Sequence, residues 1–171
     1  MLTREKLNDA GWAVIRDTPH LVIIGISSTG GSPMDELLEH SAGMKSIVDG
    51  MNSTHPLIRE IAVGVNIMQA QKSIQSWYRS LAEIDRKPAS LQEKALDSMK
   101  SAVGALRARG GPDDLLQYSD FVRSLAMRVA RAAKEGDVLG VGGELVSAGE
   151  RKFLDRLEAR HQRTGVVGRA A

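Results

Sequence analysis

Apolar residues recur at intervals of three and four along most of this chain, which is the spacing of amphipathic helices. The predicted helices run from Thr3 to Arg16, His20 to about Ser28, Pro33 to about Met51, Pro56 to about Ile84, Ser90 to Arg109, Pro112 to about Glu135, and Ala148 to about Gln162. The pattern therefore predicts an all-α protein, a single-domain bundle of about seven helices. The bundle is predicted to span residues 1–164, and the small residues of 165–171 predict a flexible C-terminal tail.

The segment from His20 to Ser28 differs from the other predicted helices because it is apolar nearly all round. A helix with no polar face is typical of the centre of a bundle, so this segment is predicted to be the central buried helix. Thr18 is a good N-cap residue, and Pro19 after it suits the first helical position. These two residues predict that the helix begins here, separate from the preceding one.

Prolines and capping residues mark the other helix starts. Pro33, Pro56 and Pro112 each open a predicted helix, whereas Pro88 is expected to end one. Ser90 to Glu93 and Ser147 to Glu150 have the spacing of capping boxes.

The longest break between helical segments is the Gly-rich stretch from Gly136 to Ser147, which contains four aliphatic residues. These are Val138, Leu139, Leu145 and Val146. Four aliphatic side chains in one loop would promote aggregation if they were exposed to water, unless a binding partner covered them. The stretch is therefore expected either to fold back between the last two helices or to bind a partner.

Two helix–loop–helix units share one order of features: an apolar helix, a Gly break, a Ser cap, acidic residues and a second apolar helix. The first passes through Thr29-Gly30-Gly31, Ser32 and Asp35-Glu36; the second passes through Gly142-Gly143, Ser147 and Glu150. This arrangement resembles the helical bundles of the tellurite-resistance TerB-like class. The resemblance implies an all-α fold and a stress-response role. The Asp-Gly pair linked with metal binding in that class has no counterpart before Gly30, and Asp137 stands far from Gly142.

Composition narrows the function classes further. The chain has no Cys, which excludes disulfides, thiolate metal sites and Cys nucleophiles and favours a cytoplasmic location. The longest apolar run, Leu21 to Ile26, is too short to span a membrane, and the N-terminus lacks a signal-peptide pattern. The net charge of +2 is spread out, and the basic residues of the last two helices alternate with acids, so the charge pattern does not favour nucleic acid as a partner.

Glu36, Glu39 and His40 are the candidate metal ligands, because they lie one helical turn apart on the third predicted helix. The alternative is a solvated charged face. Glu158 and His161 have the Glu-x-x-His spacing of di-iron helices, but no second copy exists. Gly140 to Gly143 lack the Lys of a phosphate-binding loop.

With no recognisable catalytic set, the sequence predicts a non-enzymatic helical interaction or scaffold protein that binds a protein partner or itself and carries no cofactor. The alternative is a metal- or anion-binding protein or enzyme that uses Glu36, Glu39 and His40. Convergence of these three side chains in one pocket would favour the alternative.

Overall fold

The structure, a computed structural model, describes residues 1–28, 33–63, 87–135, 146 and 148–162. These residues form six α-helices and two short 3-10 segments, and they contain no strand. The α-helices are α1 (Asp9–Ser27), α2 (Pro33–Asp49), α3 (Pro56–Val63), α4 (Pro88–Arg109), α5 (Pro112–Glu135) and α6 (Ala148–Gln162); the 3-10 segments are Arg4–Lys6 and Gly50–Asn52. The predicted all-α bundle is confirmed.

One long helix, α1, replaces the first two predicted helices. It begins at Asp9, where the Asn8 side chain caps the Gly11 N–H, and it continues through Pro19 to Ser27. The predicted break at Thr18 and Pro19 is therefore wrong. The predicted burial of its second half is confirmed, since Val22, Ile23 and Ile26 are inaccessible to solvent.

Pro19 is tolerated inside α1 because another residue supplies the missing hydrogen-bond donor. A proline has no N–H, so the carbonyl group four residues earlier, that of Ile15, loses its helical partner. The Tyr118 hydroxyl of α5 donates to the Ile15 carbonyl oxygen at 2.8 Å, in a buried position. Burial raises the pKa of Tyr118, so the hydroxyl stays a donor. The Thr18 hydroxyl bonds the Val14 carbonyl oxygen at 2.6 Å in the same turn.

Four of the six described α-helices begin at a proline. Pro33, Pro56 and Pro112 open α2, α3 and α5 as predicted, and Pro88, which was predicted to end a helix, opens α4. Proline suits the first helical position because the N–H there has no helical acceptor. The predicted capping box at Ser90 therefore lies inside the first turn of α4. The predicted extension of α3 to Ile84 lies outside the described residues.

Helix α1 lies at the centre of the packing, against α4, α2 and α5. Helix α2 lies along α5, and α6 contacts α4 and α5. Where α1 crosses α2, a Cβ atom on Gly43 would lie only 2.5 Å from the Ile23 side chain, so this approach requires glycine. The ring of Phe153 anchors α6 next to Gly25 of α1 and Ala95 of α4. No helix of the described residues is long and apolar enough to cross a membrane.

The start of α5 is tied to the N-terminal segment by a buried carboxylate. Asp114 accepts the Leu2 N–H at 2.6 Å and the Gly111 N–H at 2.8 Å. Burial alone would raise the pKa of Asp114, but these two hydrogen bonds hold it below its usual value. Nε2 of the buried His55 lies 3.1 Å from the same carboxylate. Two segments distant in sequence, at Leu2 and His55, therefore meet Asp114 at the start of α5.

Replacing Tyr118 with Phe should lower the free energy of unfolding by about 1–3 kcal/mol, because the buried Ile15 carbonyl loses its donor. In a Pro19→Ala background the same change should cost less, since residue 19 can then donate to Ile15. Urea unfolding of the four proteins in this cycle measures the coupling. An equal cost in both backgrounds would contradict the compensation.

Gly43→Ala should destabilise the protein by about 1–3 kcal/mol, because the added methyl group forces α1 and α2 apart at Ile23. Gly104→Ala in α4 is the matched control, since no described atom lies within 4 Å of its added Cβ. That control should stabilise by about 0.5–1 kcal/mol through helix propensity. Thermal unfolding of both variants checks the pair, and a neutral Gly43→Ala variant would show that the crossing is not tight.

Candidate functional site

The three predicted metal ligands of α2 do not share one environment. Glu36 is exposed, His40 is half-buried, and the Glu39 side chain is buried in the bundle. Burial lowers the pKa of His40, and the charge of Glu36 partly opposes that shift. In the described part of the chain, no group of three His, Asp or Glu side chains is placed to hold a metal ion. The convergence expected of a metal or catalytic cluster at these residues is not seen.

Glu39 is instead a buried acid at the junction of α1, α2 and α6. Burial raises its pKa to about 7, and the charge of Glu150, at the start of α6, adds to that shift. The neighbouring Ser27 hydroxyl opposes it. Among the described residues, neither Ser27 Oγ nor Glu39 Oε2 has a hydrogen-bond partner of good geometry. The arrangement can hold a proton near neutral pH.

His20 is the second buried ionisable group near this junction. It is 6% exposed, and burial lowers its pKa to about 4. The negative charge of Asp17 opposes this shift, while the positive charges of Arg16 and His40 add to it. His20 is therefore a neutral core imidazole at physiological pH.

Of the four aliphatic residues predicted to form a packed loop or a partner surface, only Val146 lies within the described residues. Val146 is 9% exposed and belongs to the hydrophobic core. Val138, Leu139 and Leu145 lie outside the described residues, as do the predicted cap Ser147 and the tail 165–171. The choice between a packed loop and a partner surface for the whole stretch therefore stays a prediction.

A cleft of about 510 Å³ opens between α4, α5 and α6. Its floor is apolar and is formed by Met99, Val122, Met127, Leu154 and Leu157. Three arginines of α5, namely Arg123, Arg128 and Arg131, line one side, and Glu158 of α6 lies on the other. We call this feature the arginine-lined cleft. Its residues come from three helices, so the tertiary structure creates it.

The packing of α5 and α6 explains why the cleft combines apolar and charged side chains. Helix α5 buries Tyr118, Val122 and Val129 in the core, and this leaves its arginines on the outer face. Helix α6 is held against α4 by the buried Phe153 and by an ion pair between Arg156 and Glu93. In the gap between α5 and α6, Met127 and Leu154 are half-buried beside charged groups, and Met99, Val122 and Leu157 are buried beneath them.

The arginines of the cleft are only partly neutralised. Arg123 lies 3.4 Å from Asp120, and Arg128 lies 2.8 Å from Asp49, with both arginine side chains about 60% exposed. Arg131 is exposed and forms no ion pair with any described residue. Exposed pairs of this kind contribute about 0–1 kcal/mol each, so an incoming carboxylate can replace their acids at little cost.

The sequence pattern misses this cleft. Basic residues that alternate with acids predict a solvated, salt-bridged face, and Asp120 and Asp49 do pair with two of the arginines. The signal that could have indicated the cleft is the spacing of Arg123, Met127 and Arg131, which places a flexible apolar side chain between two cations on one helical face.

Glu39→Gln should remove a pH-dependent loss of stability. The folded-state pKa, about 7, exceeds the ordinary value of 4.5, so the folded protein keeps a proton that the unfolded chain releases. Glu39 therefore lowers stability as pH rises from about 4.5 to 7, by roughly 3 kcal/mol in total. The stability difference between Glu39→Gln and wild type should grow over that range.

Urea unfolding at a series of pH values measures this difference in stability. His20 contributes to stability with the opposite pH dependence, but it is present in both proteins, so its contribution cancels in the difference. Glu36→Gln is the control on the same helix, because Glu36 is exposed. Its difference from wild type should change far less with pH. Parallel stability profiles for Glu39→Gln and wild type would show that folding does not raise the pKa of Glu39.

The chain matches no protein-family model, no curated protein and no solved structure. The resemblance to TerB-like bundles therefore stays a prediction from the two helix–loop–helix units.

Proposed function

We propose that this chain is a cytoplasmic, non-enzymatic interaction protein that binds another polypeptide in the arginine-lined cleft. The observation that carries the proposal is the cleft itself, which places an apolar floor beside exposed arginines. Apolar surface supplies most of the free energy of association, and the charges around it supply specificity and orientation. Arginine and methionine are also enriched at protein interfaces.

The composition of the cleft favours binding over catalysis. Its described lining includes one carboxylate, Glu158, and no imidazole. The lining also includes the hydroxyl groups of Ser119 and Ser124, and Oγ of the buried Ser119 has no hydrogen-bond partner among the described residues. A nucleophile needs a base within hydrogen-bond reach. The chemistry available in the cleft is therefore desolvation and ion pairing, which suits recognition of a chain segment.

The buried acid at Glu39 supports the alternative function less well. It lies on α2, whereas the cleft is lined by α4, α5 and α6, so its carboxyl group is not part of that surface. Glu36 and His40, the other two members of the predicted cluster, do not join it in the core. The stability contribution of Glu39 is thus a separate property of the bundle.

Site-specific photo-crosslinking in the cells that make the protein tests the proposal. Arg131, in the cleft, and Arg107, exposed on α4 and outside the cleft lining, are each replaced by p-benzoyl-phenylalanine. We expect a discrete crosslinked polypeptide from position 131 and none from position 107. Met127→Asp should abolish the product, with circular dichroism showing that the variant remains folded. No product at position 131, or the same products at both positions, would contradict the proposal.

A further inference from the structure

The arginine-lined cleft has a length and a charge pattern that specify its occupant more closely. The residues of α5 that line it run from Ser119 to Arg131, which is about 18 Å along the helix at 1.5 Å per residue. The residues of α6 that line it lie between Leu154 and Glu158. The cleft is therefore elongated along α5, and that shape suits a helix of about three turns.

The floor of the cleft matches the apolar face of such a helix. Helices that bind in grooves insert side chains spaced three, four and seven residues apart into an apolar surface. Met127 and Leu154 line the cleft and are half-buried, and Leu154 packs against the fully buried core. Burying them beneath a partner would remove apolar surface that the monomer leaves in water.

The charges that line the cleft favour a negatively charged partner. Arg123 and Arg131 are eight residues apart on α5, or about 12 Å along the axis, which equals the distance between acidic residues two turns apart on a bound helix. Arg131 has no ion pair with a described residue, and Arg123 and Arg128 have exposed partners that can be displaced. Glu158 of α6 lies on the opposite side of the cleft, so the three arginines of α5 mark the edge that an acidic partner would face.

We infer that the occupant of the arginine-lined cleft is an acidic amphipathic helix of a partner protein, with its apolar face on Met127 and Leu154 and its carboxylates on Arg123, Arg128 and Arg131. The inference rests on the proposed function. A nucleic acid would use the arginines but leave the apolar floor unpaired. A second copy of the chain could also occupy the cleft, and the experiments must distinguish it from a partner protein.

Fluorescence anisotropy with the full chain and three labelled peptides tests the inference. Each peptide has about 14 residues, or roughly 21 Å as a helix. The first has leucines on one face and glutamates along one edge of that face. The second has the same composition in scrambled order, and the third has lysine in place of each glutamate. We expect the first peptide to bind about tenfold or more tightly than the others, with affinity that falls as salt rises.

Matched charge reversals locate the binding. Arg131→Glu should weaken binding of the first peptide about tenfold or more, whereas Arg107→Glu, an equal change of charge outside the cleft lining, should alter it less than about twofold. Met127→Ser should also weaken binding. Equal binding of the scrambled peptide, equal binding of the lysine peptide, or equal effects of Arg131→Glu and Arg107→Glu would each overturn the inference.

Two further outcomes separate this inference from the proposed function. A crosslinked polypeptide at position 131 without binding of the acidic peptide would leave the proposed function standing and overturn the acidic helix. The absence of both would overturn both. Sedimentation velocity tests the second copy: a wild-type dimer that Arg131→Glu converts to a monomer would show that the chain itself occupies the cleft, and a monomer at all concentrations agrees with a separate partner.

Discussion

The buried hydrogen bond between Tyr118 and the Ile15 carbonyl is the interaction on which the rest of the bundle depends. It allows α1 to pass through Pro19 without a break, and α1 contacts α2, α4 and α5. An unsatisfied buried carbonyl costs free energy comparable to a lost hydrogen bond. Because the donor comes from α5, the hydrogen bond that satisfies the Ile15 carbonyl of α1 also holds α5 against α1.

Helix α5 serves two purposes on two faces. Tyr118, Val122 and Val129 face the core, and the arginines face the cleft. Its start is held in place by Asp114, whose carboxylate accepts hydrogen bonds from the N–H groups of Leu2 and Gly111. A helix fixed at its start and along its buried face presents its outer residues in one geometry. That rigidity reduces the entropy lost on binding, which is the general advantage of a preorganised surface.

The buried polar groups of α1 and α2 have a different meaning. Ser27, Glu39 and His20 lie in the bundle, where burial favours the neutral forms of the acid and the imidazole. Raising the pKa of an acid and lowering that of an imidazole both reduce the charge in the core near neutral pH. The helices can therefore pack closely at Gly43 and Ile23 without an ion pair between them at that crossing.

The apolar periodicity and the helix-start residues of the chain were enough to predict an all-α bundle, the buried segment Val22 to Ile26, and the starts of α2, α3 and α5 at prolines. Those features depend on local rules: the spacing of apolar residues and the fixed backbone angle of proline. The same rules failed at Pro19, because a hydroxyl group about a hundred residues away supplies the missing donor. They also could not separate Glu39 from Glu36, or locate the arginine-lined cleft. Burial of one acid and the opening of a gap depend on how three helices meet, and that packing follows from contacts distant in sequence rather than from any local pattern.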